Sequence, residues 1–197
     1  MFFAHGTPGS RGDRYYSLDD PAWLRQQRLR VIGVDRPGYG YSDPWPEASL
    51  LDCAEDFVRV ADHLGIERFA ALGGSSGGPC AITLGVLAPE RVRRVAIVSG
   101  VGMFDRPEGL EGMREDNVAE FKMAMDSPEE LAAALGEVAK ALREDPEGSL
   151  AAFAAGLPEV DRRMLEQPDL RTLFIETFEE AVRQGVTGWV DDEMRLV

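Results

Sequence analysis

The sequence predicts an α/β protein in which about four parallel strands, flanked by helices, are followed by an all-helical segment. Three observations carry this reading. Short unbroken apolar runs alternate with helical patterns as far as Ser99, a glycine-rich turn joins one such run to a helix at Gly73 to Gly78, and from Asp105 onward the pattern is helical only. Parallel strands covered on both faces read as continuous apolar runs, and successive parallel strands need helical, right-handed crossovers.

Phe2, Phe3 and Ala4 form the first expected strand, which runs into the turn His5-Gly6-Thr7-Pro8-Gly9. Leu18-Asp19-Asp20-Pro21 reads as a helix start, with acidic residues ahead of a proline suited to the first helical position. Residues 31–34 are the second strand, followed by Asp35-Arg36-Pro37-Gly38-Tyr39-Gly40-Tyr41-Ser42-Asp43, a rigid turn whose glycines accept backbone angles that other residues resist. Leu50, Ala54, Phe57, Ala61 and Leu64 recur at helical spacing up to Gly65, with Asp52, Asp56, Arg59 and His63 on the opposite face. Residues 69–72 and 95–99 are the third and fourth strands.

Beyond Asp105, Ser127-Pro128-Glu129-Glu130 predicts a capping box with proline at the first helical position, opening a helix to about Arg143. Further helices are expected over residues 116–125, 150–155, 161–165 and 170–184, with Gly185 as a stop. Six of the seven methionines lie from Met103 onward, a distribution that suits either an adaptable pocket lining or plain core filling.

The chemistry of the chain centres on residues 73–78. Gly-x-Ser-x-Gly is met in two registers, Gly73-Gly74-Ser75-Ser76-Gly77 and Gly74-Ser75-Ser76-Gly77-Gly78. The preceding strand runs directly into Gly73, which favours Ser75 at the apex, while Gly77 and Gly78 let the next helix pack closely. A serine exposed on a sharp strand-to-helix turn implies acyl transfer through a serine nucleophile. A phosphate loop would need Lys then Ser or Thr after its last glycine, and here Pro79 follows Gly78. Nor is there a dinucleotide fingerprint, because Gly38-Tyr39-Gly40 has Asp43 where the third glycine would fall.

Three blocks, Phe2 to Ser10, Val34 to Asp43 and Gly73 to Pro79, stand in the order and at roughly the spacing of the α/β-hydrolase family, and the chain resembles its members with a helical cap. The resemblance implies Ser75 as nucleophile and an oxyanion hole built from the backbone N–H groups of Thr7 and Ser76. It makes His5 and Gly6 loop-bracing residues and gives Gly73, Gly77 and Gly78 the shaping of the turn. It divides the chain into a core over residues 1–104, a helical cap over 105–185 and a linker over 186–197. The family supplies its triad as Ser, then Asp or Glu, then His, yet no histidine follows His63, which lies on the solvent side of its helix. Asp105, just after a strand, is a candidate acid for a variant layout, but without a base it orients nothing. The chain is therefore expected to be truncated at both ends, with uncovered strand edges that invite self-association. Two functions follow: a serine hydrolase acting on a small-molecule ester, lactone, thioester or amide, or a catalytically incompetent fragment or interaction module that keeps the turn.

Composition narrows the partners. Of the net charge of −14, residues 1–100 contribute 11 basic against 12 acidic side chains and residues 101–197 contribute 10 against 23, so the second half holds nearly all the excess. Nucleic acid and anionic membrane both need a basic face and are not expected partners. No apolar run has the length of a membrane span, and the opening residues lack a basic start and an apolar stretch of signal-peptide length, so the expected address is the cytoplasm. Cys53 and Cys80 sit in helical patterns with no metal-type spacing and are expected as buried, reduced thiols; no metal or cofactor is called for.

Overall fold

The computed structural model describes residues 1–13, 21–102, 104 and 106–197. Among the described residues it has four strands, all parallel, and nine α-helices. The strands β1 (Phe2–Ala4), β2 (Ile32–Val34), β3 (Phe69–Gly74) and β4 (Val92–Val98) lie in the order β2-β1-β3-β4. The interleaved helices are α1 (Pro21–Gln26), α2 (Leu50–His63) and α3 (Gly77–Leu87). After a short 3₁₀ turn at Pro107–Leu110 come α4 (Glu115–Asp126), α5 (Pro128–Glu144), α6 (Pro146–Ala155), α7 (Glu159–Met164), α8 (Pro168–Ala181) and α9 (Thr187–Leu196).

The sheet is held by an apolar layer in which Phe2, Ala71 and Phe69 from the strands meet Cys53, Ala54, Phe57 and Ala61 of α2 and Leu84 of α3. Phe2 packs edge-on against both Phe69 and Phe57, with ring centroids 4.9 and 6.0 Å apart, an arrangement that suits the aromatic quadrupoles. Helix α2 begins with a capping box that the sequence reading missed: Ser49 Oγ accepts from the Asp52 N–H, and the Asp52 carboxylate accepts from the Ser49 N–H. The box expected at Ser127 does not form, and Ser127 Oγ makes no capping hydrogen bond. Its ψ is 82°, against 170° at Ser49, which turns the hydroxyl away from the third helical N–H. The expected start of α1 at Pro21 is in place, while Leu18, Asp19 and Asp20 lie outside the described residues.

Helices α4 to α9 bury a second cluster, with Leu131, Leu135, Ala139 and Leu142 of α5 against Ala124, Ala181 and Trp189, and Tyr39 of the sheet half reaches into it. The segment over residues 186–197, expected as a linker, forms α9 instead. Trp189 and Val190 anchor it on this cluster and Asp192 is fully buried, so its inner face is fixed by packing. Strand β4 is an edge, and Val95, Ile97 and Val98 remain 40–44% exposed. No helix among the described residues is long and apolar enough to cross a membrane.

Candidate active site

The register of the sheet assembles the site. Ala4 pairs with Gly73 and Gly74 pairs with Val98, so the turn after β1 and the turn after β3 leave the same edge side by side. This is the carboxyl end of parallel strands, where α/β sheets open into a crevice.

Ser75 has φ of +50°, a left-handed conformation that a residue with a side chain adopts only when its surroundings impose it. Its neighbours impose it. A Cβ on Gly73 would come within 2.4 Å of Gly77 O, and a Cβ on Gly77 within 2.2 Å of Ala4 O and 2.5 Å of His5 O. Gly78 allows α3 to approach β4, with Ile97 Cγ2 at 3.1 Å from where a Cβ would sit. The Ser75 N–H donates to Val98 O at 3.0 Å and its carbonyl accepts from Gly78 N–H at 2.9 Å, which ties the apex to both neighbouring elements. Ser75 is half-buried, whereas Ser76 is 1% exposed, so the apex position falls to Ser75.

Around this turn lies a polar cluster with Arg36 at its centre. The Arg36 Nη1–H donates to Asp192 Oδ1 at 2.5 Å, with both side chains 1% exposed. Its Nη2–H group reaches His5 O at 2.9 Å, Gly6 O at 3.1 Å, Thr7 Oγ1 at 3.2 Å and Ser76 Oγ at 3.3 Å. The Thr7 hydroxyl donates to Asp192 Oδ2 and stands within hydrogen-bond distance of Ser76 Oγ. Tyr39 Oη and Arg195 Nη1 also donate to Asp192, at 3.3 and 3.0 Å.

His5 is completely buried, and its two nitrogens are both engaged: Nε2 accepts from the Arg36 N–H at 3.1 Å, which leaves Nδ1–H to donate to Gly6 O at 2.8 Å. Burial, and then the charge of Arg36, hold its pKa well below the ordinary histidine value. His5 is therefore a neutral brace for the Gly6–Thr7 loop. His63 is exposed in the last turn of α2. The thiols of Cys53 and Cys80 are free and buried, and burial pushes Cys80 up to about 12, far from a thiolate. Asp105 lies outside the described residues.

Ser75 opens on two cavities. One, of about 190 Å³, is lined by Gly6, Thr7, Asp13 and the apolar side chains Phe153, Leu173, Phe174 and Phe178. Phe178 packs edge-on against both Phe153 and Phe174, at 6.0 and 5.9 Å. Burial raises the Asp13 carboxyl above its ordinary value, although it accepts a hydrogen bond from the Gly6 backbone. The other cavity, of about 850 Å³, is a wider cleft that Ser75 shares with Ser99, Gly100, Val101, Arg106 and Asn117.

The sequence-predicted residues His5, Gly6, Thr7, Gly73, Ser75, Ser76, Gly77 and Gly78 thus converge on one turn pair. Arg36, Tyr39, Asp192, Asp13 and the phenylalanines of α6 and α8 were not singled out beforehand. For Asp192 the signal was weak: an acid three residues after Trp189, on the inner side of an amphipathic pattern that was read as linker.

Comparison with known proteins agrees with this architecture. A family model described as the alpha/beta hydrolase fold matches residues 1–177. The chain is 38% identical over 106 residues to the dihydrolipoyllysine-residue acetyltransferase component of the acetoin cleaving system of Cupriavidus necator, a match covering 53% of this chain and 27% of that protein. It is 38% identical over 88 residues to 2-hydroxymuconate semialdehyde hydrolase of Pseudomonas putida, covering 43% of this chain and 31% of the hydrolase. Among solved structures, the enol-lactonase from Burkholderia xenovorans superposes with a TM-score of 0.60 at 17% identity, covering 99% of this chain and 63% of the lactonase. The matched stretches span less than a third of either curated relative and under two thirds of the lactonase.

Proposed function

The chain belongs to the alpha/beta hydrolase fold family, and from that premise we propose that it is a serine hydrolase whose Ser75 Oγ attacks the carbonyl carbon of an ester, lactone, thioester or amide. The observation that carries this reading is the φ of +50° at Ser75, held between glycines that have no room for a Cβ and opening on a cavity. The attack forms an acyl-enzyme and expels the alcohol, thiol or amine, and water then releases the acid. The backbone N–H groups of Thr7 and Ser76 hold the oxyanion in the tetrahedral intermediate; among the described residues, no backbone carbonyl takes either N–H as donor. The helices from α4 onward serve as the lid, and no metal or cofactor enters the scheme.

The smaller cavity receives the acyl group. Phe153, Leu173, Phe174 and Phe178 favour an apolar or aromatic chain, and among the described residues Asp13 is its one ionisable lining residue, so an acyl group bearing a carboxylate is disfavoured there. The acidic balance of the chain speaks against nucleic acid as a partner, and its free, buried cysteines suit a reducing compartment such as the cytoplasm.

A second reading is favoured by the histidines. The chain has two, His5 is committed to Gly6 O and the Arg36 N–H, and His63 is solvent-exposed on α2, so neither serves Ser75 as base. In serine proteases, loss of the base costs about 10⁶ in turnover and leaves about 10³ over water. On this reading the chain alone is a non-catalytic fragment or interaction module, and the apolar row on β4 is its contact surface. Hydrolysis of p-nitrophenyl butyrate with and without added imidazole separates the two. A rate that rises with imidazole in the wild type beyond that in Ser75→Ala supports an activatable serine, and identical rates in the two proteins support the module.

A further inference from the structure

We infer that Asp192, acting through Arg36 and the Thr7 hydroxyl, is a positioning residue that sets the two backbone N–H groups of the oxyanion hole. This rests on the reading of Ser75 given above and extends it to a helix more than 100 residues away in sequence. The two donors belong to separate turns, one after β1 and one after β3. The sheet register and Gly77 bring the two turns side by side, and side chains then tie Thr7 to Ser76. The Thr7 and Ser76 hydroxyls are within hydrogen-bond distance of each other, and one Arg36 Nη2–H group lies within 3.3 Å of both oxygens and of two carbonyls of the Thr7 loop.

That arrangement needs a charge partner for Arg36 on the other side, since a buried guanidinium without one is strongly disfavoured. Asp192 supplies it, and its second oxygen accepts a hydrogen bond from the Thr7 hydroxyl, which leaves the Thr7 oxygen to accept from Ser76. Asp192 is in turn held by the seating of α9: three residues earlier, Trp189 is buried against α5 and its indole N–H donates to Glu120 Oε1 at 2.6 Å. The line of contact therefore runs from Trp189 through Asp192 and Arg36 to Thr7 and Ser76. Oxyanion donors act only when they are preset to within a fraction of an ångström of the developing charge, so a shift in this line changes reactivity at Ser75 without touching it.

The test uses the whole chain and two readouts, phosphonylation of Ser75 by a fluorophosphonate probe and amide hydrogen exchange at Ser75 and Gly78, whose N–H groups donate to Val98 O and Ser75 O and so report the seating of the turn. Thr7→Val keeps the Arg36–Asp192 pair and the fold but removes the hydroxyl, Thr7→Ser restores it, and Asp192→Asn alters the charge. The expected result is labelling at least about tenfold slower in Thr7→Val and Asp192→Asn, and within about twofold of wild type in Thr7→Ser. Exchange at the Ser75 and Gly78 amides rises at least about tenfold in Thr7→Val while that of Ala71 in β3 stays unchanged, which a general loss of stability would not produce. If Asp192→Asn fails to fold, Thr7→Val decides. If the wild type itself does not label, the Ser75 reading fails, and the exchange data still judge the positioning role. Unchanged exchange at both amides in Thr7→Val overturns the inference, as does wild-type labelling in both variants.

Discussion

The turn at Ser75 and the cluster at Arg36 meet at Thr7, but different materials shape them. Around Ser75 the backbone is the instrument: Gly73 and Gly77 let strands and helix close to distances that no Cβ permits, and left-handed backbone falls on Ser75 and, in the same cleft, on Ser99. Around Arg36 the instrument is side-chain charge, with Asp192 and Arg195 of α9 brought against Arg36 and Tyr39 of the turn after β2, so that Arg36, Tyr39 and Asp192 are buried together. The first arrangement is set by short-range sterics and is indifferent to pH. The second depends on charge, on burial and on how the helical half is seated.

This contrast can be broken most forcefully at Gly77. Gly77→Ala places a methyl group 2.2 Å from one backbone oxygen and 2.5 Å from another, neither of which can step aside. We expect a loss of about 4 kcal/mol or more, or no folded protein at all, in urea unfolding followed by circular dichroism. A mild effect would mean that the turn is softer than its geometry implies.

Arg36→Met probes the other side. It takes the closer of two arginine partners from the Asp192 carboxylate, whose side chain is 1% exposed, and leaves it to Arg195. Breaking a buried ion pair by removing one partner typically costs about 3–5 kcal/mol, and the same unfolding measurement should find a loss of that size. Loss of Ser75 labelling at concentrations where the variant remains folded would join the cluster to the site.

The pH dependence of the helical half comes next. Burial, and then the neighbouring carboxyls of Glu120 and Asp192, raise Glu193 to about 9 from an ordinary 4.5. The folded chain therefore holds a proton that the unfolded chain has already released, so the stability from this group is full below pH 4.5 and is lost as the pH rises toward 9. Glu193→Gln keeps the proton permanently. We expect it to flatten the decline in Tm between pH 5 and 9 and to raise Tm at pH 8 by roughly 4 °C or more. A wild-type Tm that does not fall over this range would contradict the assignment.

At the small end stands Arg59, which pairs with Glu55 and Asp56 on the surface of α2 while 61% exposed. Arg59→Ala should change the unfolding free energy by less than about 0.5 kcal/mol, and the gap between Arg59 and Arg36 measures what burial adds to an ion pair.

The same contrast explains what was legible in the sequence. The strands, α2 and the Ser75 turn could be read because periodicity and glycine placement act over a few neighbouring residues. The capping box at Ser127 was misread although its residue types fit, because capping depends on a ψ angle that the sequence pattern does not state. Helix α9 was read as a linker, since its inner face is made by partners up to 156 residues away: Arg36 and Asp192 carry no mark of one another until the fold joins them. Expectations tied to local backbone sterics could therefore be read in advance, while those resting on buried charge had to wait for the packing.

The account turns on which atom of the turn is reactive. The most direct measurement is tandem mass spectrometry of the fluorophosphonate adduct formed by the folded chain, mapped to a single residue. The account predicts the adduct on Ser75 and none in Ser75→Ala. An adduct on Ser76 or Thr7, or a folded sample that forms none, would contradict it.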